Sequence, residues 1–289
     1  MRRYVLAVLA LFAAMALLIA GNLTLRDRGI ELAPDTPQAR AEALSAHWVL
    51  RLPEGARGPA PLALLLSGCD GPADNLGRYA EALAEAGWAS LILDSHAPRG
   101  YGHLQAWRLV CVGQILSGAE RAGDVAVAVA EMARDPRIDG QRMMVVGASH
   151  GGWAGLEYLA QLGRAAPPVG LAEWPEPRRQ SAARIDGAFL LYPYCGLFNR
   201  ADVQGIQRMI PLQFLLASDD RIVDNADCQA LAEALRADGQ NVQIDVLQGV
   251  DHGFDQQRKA PGSLLEYDAQ AADEAAARLA EFAARLGAN

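Results

Sequence analysis

From Trp48 onward, short continuous apolar runs alternate with amphipathic helical runs, and no other feature constrains the fold as tightly. Trp48–Leu52, Leu62–Ser67, Ala89–Asp94, Met143–Gly147, Gly187–Tyr192, Pro211–Ala217 and Val242–Leu247 have the length and composition of strands. Between and after them, Leu76–Ala86, Ala119–Arg134, Trp153–Leu162, Ala226–Ala237 and Tyr267–Leu286 have helical periodicity. A strand that is apolar at successive positions is buried on both faces. The expectation is therefore an α/β fold, a mostly parallel central sheet covered by helices on both faces, in one domain over residues 46–289. In such a sheet, function collects at the carboxyl ends of the strands. Two long irregular stretches, 95–118 and 163–186, are expected to wall a pocket there, the second carrying Pro167, Pro168, Pro175 and Pro177.

Ahead of this pattern, Arg2 and Arg3 precede an uncharged, apolar segment running from Val5 to Leu25. As one helix it spans about 31 Å at about 1.5 Å per residue, enough to cross the hydrocarbon core of a bilayer. A cleavable export signal would end in a small-x-small site, and Leu18 with Ala20 before Gly21 is a poor one. Residues 1–25 are thus expected to be a signal anchor, with a signal peptide as the alternative, followed by a tether over 26–45 with a short helix near Gln38–Leu44. The arginines stay on the cytoplasmic side, so the domain is expected outside the cytoplasm: held at the inner or plasma membrane, or periplasmic or secreted after cleavage.

The balance of 26 Lys+Arg against 34 Asp+Glu, a formal net charge of -8, has no basic run and argues against nucleic acid as a partner. Cys69, Cys111, Cys195 and Cys228 form no Cys-x-x-Cys and meet no His-x-x-x-His, so no metal site is expected. In an oxidising compartment they could form two disulfides, or remain buried thiols; spacing alone leaves the pairing open.

The chemistry gathers at Gly147-Ala148-Ser149-His150-Gly151-Gly152, between the apolar run ending at Val146 and the helical run from Trp153. A Gly-x-Ser-x-Gly turn between strand and helix raises the serine hydroxyl above the sheet, and the glycines leave room for the surrounding backbone. The amide of His150, at the positive end of a helix, can stabilise an oxyanion. Serine is a weak nucleophile until a base takes its proton, and that base needs a carboxylate to orient it. Downstream of the elbow the one further histidine is His252, just after the last expected strand. Asp219 and Asp220 end the preceding strand and both are candidates for the acid, with Asp251 a weaker third. The second oxyanion donor is expected from Ser67-Gly68-Cys69-Asp70-Gly71, with the Cys69 amide in the best place. His150 adjoins Ser149 but points elsewhere from a helix start, and is expected at the pocket rim.

With Ser149, the acid and His252 in this order, the chain from about Trp48 to Leu286 resembles the dienelactone hydrolase-like family of the α/β-hydrolase superfamily. The resemblance is carried by Ser67–Gly71, Asp94–Gly100, the elbow at 147–152, Tyr192-Pro193-Tyr194-Cys195-Gly196, Asp220–Leu231 and, best of all, Asp251-His252-Gly253-Phe254-Asp255. It implies the α/β-hydrolase fold. It also selects Asp220, four residues before Asp224 where the family has a proline. The pairs Cys69 with Cys111 and Cys195 with Cys228 are likewise implied by the resemblance. Departures are visible: Ser149 stands where founding members have cysteine, Ser67 where a histidine is common, and Gln256 where they place an arginine. Arg99 resembles another arginine that binds a carboxylate, with Arg258 nearby.

The expected activity is cleavage of a small-molecule carboxylic ester or lactone by Ser149, His252 and Asp220 through an acyl-enzyme, with no cofactor. A prolyl-oligopeptidase-like peptidase shares the Gly-x-Ser-His-Gly-Gly elbow. A membrane-tethered binding protein on the same fold is the non-enzymatic alternative.

Overall fold

In the computed structural model seven strands form one sheet among the described residues, which are 2–30, 32–201, 205–259 and 263–287. Met1 of the expected anchor, Glu31 of the expected tether, and residues 202–204, 260–262 and 288–289 of the expected domain lie outside the described residues. The strands are β1 (Val49–Arg51), β2 (Ala60–Leu66), β3 (Ala89–Leu93), β4 (Ile138–Ala148), β5 (Ile185–Leu191), β6 (Pro211–Ala217) and β7 (Asn241–Leu247). They lie in the order β1-β3-β2-β4-β5-β6-β7, and only the edge strand β1 is antiparallel to its neighbour. This is the mostly parallel α/β sheet expected from the apolar runs.

Burial on two faces follows the period of two along each strand. Leu62, Leu64 and Leu66 of β2 and Met143 and Val145 of β4 enter one core, with the helices Gly118–Met132, His150–Gln161 and Asn225–Ala237. Ala63, Leu65, Met144 and Val146 enter the other, beneath Asp74–Glu85 and Ala269–Gly287. Small residues bring the central helices close. A Cβ on Gly118 would lie 2.4 Å from the Trp153 ring, and one on Gly155 2.8 Å from Val145 Cγ1. Gly118–Met132 begins in a capping box, with Glu120 N donating to Ser117 Oγ at 3.2 Å and Ser117 N to Glu120 Oε2 at 2.8 Å.

The structure differs from expectation in three places. Strand β4 extends back to Ile138, which is buried and pairs with Ala60 of β2; the polar, partly exposed residues 139–142 follow it at an irregularity in the register and leave no apolar run. The stretch 26–45 is not a free tether. Its helix Pro37–Ser45 docks through Arg40, which is buried and ion-paired with Asp35 at 2.8 Å and with Asp124 at 2.7 Å, while Asp35 bridges to Leu171. Within 163–186, the helix Arg178–Arg184 is held by Arg184 on Glu176 at 3.0 Å.

The apolar N-terminal segment is one helix, Arg2–Asp27, long and apolar enough to cross a membrane, with its side chains from Tyr4 to Ile19 exposed.

Candidate active site

Ser149 stands between the last residue of β4 and the first of the helix His150–Gln161, with φ 53° and ψ -116°. A left-handed backbone at a residue with a side chain costs about 1–3 kcal/mol and persists only where its surroundings hold it. Here they do. Ser149 N donates to Leu191 O on β5 at 2.9 Å, and its carbonyl accepts from Trp153 N at 3.1 Å and Tyr194 N at 3.2 Å. The flanking glycines are required by contact: a Cβ on Gly147 would lie 2.4 Å from Gly151 O, and one on Gly151 2.3 Å from Leu66 O.

The strand ends bring Ser149, His252 and Asp220 together. His252 Nε2 lies 2.8 Å from Ser149 Oγ, and His252 Nδ1 lies 2.8 Å from Asp220 Oδ2. A carboxylate only accepts, so Nδ1 carries the proton and Nε2 is left to accept from the serine hydroxyl. The Asp220 carboxylate is fully buried; its other oxygen accepts from Ile222 N and Val223 N, each at 2.9 Å. Asp219 is exposed, and its carboxylate accepts from Ser218 Oγ at 3.0 Å. Asp251 faces the other way: it accepts from His252 N at 2.7 Å and Arg221 N at 3.0 Å and pairs with the Arg221 guanidinium, tying the acid loop to the histidine loop.

The loop after β2 lies over the elbow, where a Cβ on Gly68 would stand 3.9 Å from Ser149 Cβ, and Cys69 and His150 line one cavity with Ser149. Two buried groups hold this corner. His96 Nε2 donates to Cys69 O at 3.0 Å, and Arg121 donates to Ser67 O at 2.9 Å and to His150 Nδ1 at 3.0 Å. Burial, then the adjacent Arg121 charge, push His150 well below the ordinary histidine pKa, and burial brings Arg121 down to about 10. A neutral histidine whose Nδ1 already accepts from arginine is no base for Ser149.

The cavity has a volume of about 330 Å³, and Gly68, Cys69, Ser149, His150, Tyr192 and His252 form its reactive end. Of the two stretches expected as walls, 95–118 lines it, through Trp107 and Val110–Gly113; 163–186 does not, its polar groups being engaged with Leu162, Glu176 and Gly140. Disulfides join Cys69 to Cys111, between the loop after β2 and that wall, and Cys195 to Cys228, between the loop after β5 and the helix Asn225–Ala237. Arg99 is not at the cavity. Both of its terminal nitrogens donate to buried Asp124 at 2.9 Å, so its charge is already neutralised by a partner that the sequence spacing did not reveal. Gln256 bridges to Asp70 Oδ2 at 2.9 Å, and Arg258 lies exposed beside Asp74.

One supporting cluster escaped sequence reasoning. Asp255, fully buried, accepts from Tyr79 and Tyr192 hydroxyls and from Asn75 Nδ2 at 3.2 Å, behind His252. The Tyr192 ring stands edge-on to His252 with centroids 4.8 Å apart. Burial and the Asp255 charge raise both tyrosines well above their ordinary pKa, so they act as donors. The signal was an aspartate three residues after His252 among apolar neighbours, a carboxylate that requires buried donors. Among the described residues, no group of three or more His, Cys, Asp or Glu side chains is placed to hold a metal ion.

The sequence model of the dienelactone hydrolase family matches residues 49–286. No curated relative matches the chain. Among solved structures, a dienelactone hydrolase-like promiscuous phosphotriesterase from metagenomic libraries is 18% identical, with 83% of this chain and 98% of that one covered and a TM-score of 0.62. Esterase 2 of Thermogutta terrifontis with propionate bound is 16% identical, covering 83% and 89%, with a TM-score of 0.60. The same esterase phosphorylated by paraoxon is 17% identical, covering 83% and 88%, at 0.61. These likenesses show the α/β-hydrolase fold.

Proposed function

The chain belongs to the dienelactone hydrolase family and is a hydrolase acting on ester bonds; from that premise we propose a serine-dependent mechanism on a carboxylic ester or lactone outside the cytoplasm. Ser149 Oγ attacks the acyl carbon while His252 Nε2 takes the hydroxyl proton, and the amides of Cys69 and His150 hold the oxyanion. The carbon–oxygen bond to the alcohol breaks, and His252 returns the proton to the departing oxygen. Water, deprotonated by His252, then attacks the ester of Ser149, releasing the acid and restoring the hydroxyl. Asp220 keeps the proton on Nδ1 and stabilises the imidazolium. The observation that carries this reading is the unbroken chain from Asp220 through His252 to Ser149, with both links at 2.8 Å.

The division into an anchor over 1–25 and a catalytic domain over 46–289 is part of the proposal, with 26–45 as a docked connector. An apolar helix behind Arg3, and two disulfides, support a domain facing an oxidising space. Replacing Ser149→Ala is expected to lower kcat for p-nitrophenyl acetate by at least about 10⁴-fold in a folded chain. Turnover near the parent level would reject Ser149 as the nucleophile.

A further inference from the structure

The apolar helix and the cavity share a residue. Leu23 belongs to the last turns of Arg2–Asp27, yet it is buried and lines the cavity that holds Ser149 and His252. Its neighbours dock on the segment 113–120. Asn22 Nδ2 donates to the Gln114 carbonyl at 2.9 Å and to Gln114 Oε1 at 3.0 Å, and Gln114 Nε2 donates to Ile19 O at 3.3 Å. Arg26 pairs with Glu120 at 3.0 Å, and a Cβ on Gly113 would lie 2.8 Å from Leu23 Cδ1.

Helix geometry says where a bilayer would put this contact. Leu23 lies about 28 Å along the axis from Tyr4, at about 1.5 Å per residue, and a hydrocarbon core is about 30 Å thick. In a membrane-crossing helix, Leu23 and the cavity mouth beside it stand at the headgroup boundary. The adjoining surface suits that level. The turn over 103–112 buries Ala106 and Val110 but exposes Leu104, Trp107, Leu109 and Val112, with Arg108 exposed among them. Exposed aliphatic groups beside a tryptophan and a long basic side chain match the membrane–water interface. Trp107 and Val112 of this patch line the same cavity as Leu23 of the helix, and the Cys69–Cys111 disulfide fixes the patch to the loop over Ser149.

Building on the ester-hydrolase and membrane-span readings above, we propose that the outer end of the helix and the 103–112 turn form one collar that seats the cavity mouth on the lipid surface. The substrate is then an amphiphilic ester drawn from the bilayer, its chain passing Leu23, Trp107 and Val112 to reach Ser149.

The test uses the full chain in phosphatidylcholine vesicles and two substrates, soluble p-nitrophenyl acetate and p-nitrophenyl palmitate dissolved in the vesicles. A Leu104→Glu, Leu109→Glu variant alters exposed side chains that lie outside the cavity lining. Its acetate turnover is expected to match the parent, and its palmitate turnover to fall by about tenfold or more, because interfacial binding scales with immersed apolar area. Quenching of tryptophan fluorescence by brominated lipid is expected to shrink in Trp107→Phe. Equal palmitate turnover in parent and variant with acetate turnover intact, or quenching independent of Trp107, overturns the collar alone. A parent that turns over neither ester overturns the hydrolase reading and the collar together. Release of the chain from vesicles by an alkaline wash overturns the membrane reading and the collar together.

Discussion

Two adjacent carboxylates follow β6, and geometry gives them different surroundings: the Asp220 carboxylate is buried against His252 Nδ1, while Asp219 is exposed and bonded to Ser218. Asp220→Asn is expected to lower kcat/KM for p-nitrophenyl acetate by about 10³–10⁴-fold by disturbing the histidine tautomer, and Asp219→Asn to leave it within about twofold. The reverse ranking in steady-state kinetics would reassign the acid. Ser149 and His252 were legible because an elbow motif and chain order each named one residue. The acid needed a register against a family, because two neighbouring aspartates look alike until their loop is folded. The partner of Arg99 was hidden for a related reason: an arginine that binds a substrate carboxylate and one buried against Asp124 have the same local sequence.

Two buried histidines give the fold a pH dependence. Burial lowers His96 below the ordinary value of 6.5, and burial with Arg121 lowers His150 further. Both therefore take up a proton less readily in the folded chain than in the unfolded one, which protonates them near pH 6.5. The unfolded state therefore binds more protons below that pH. Their contribution to stability is whole above about pH 6.5 and is lost progressively below it. The thermal midpoint is expected to fall from about pH 7.5 to about pH 5.5, and less steeply in His150→Asn. A midpoint that rises over this window would contradict the neutral, arginine-bonded state of His150.

At the scale of elements, the strands and long helices were visible because burial on two faces leaves continuous apolar runs. What escaped were elements defined by partners rather than by pattern. The polar start of β4, the helix Arg178–Arg184 and the helical turn at 106–110 are too short or too polar to show a period. The docking of Pro37–Ser45 depends on long-range partners, Arg40 with Asp124 and the Gly170 carbonyl, and Leu44 with Val127 and Leu171. The disulfides do similar work across loops. Cys69–Cys111 closes a separation of 42 residues and Cys195–Cys228 one of 33. By loop-closure entropy each contributes about 4 kcal/mol. Reduction is therefore expected to lower the denaturation midpoint, with Cys195→Ala, Cys228→Ala losing part of that shift. An unchanged midpoint on complete reduction would show that the unfolded chain is not constrained by these links.

For the whole molecule, the alternation of runs foretold the sheet, and the apolar segment foretold a helix, but not that the two would meet at one cavity through Leu23. That meeting depends on the fold of 110–116, which no local pattern describes. The strained serine, its histidine and its buried aspartate stand at the strand ends where a parallel sheet concentrates reactive groups, and every step of the proposed reaction passes through Ser149. Treating the full chain with a fluorophosphonate and mapping the adduct by peptide mass spectrometry tests that claim most directly. One adduct per chain is expected, on the peptide containing Ser149, lost in Ser149→Ala together with ester turnover. A chain that hydrolyses esters while Ser149 stays unmodified, or that carries its adduct on another residue, would contradict it.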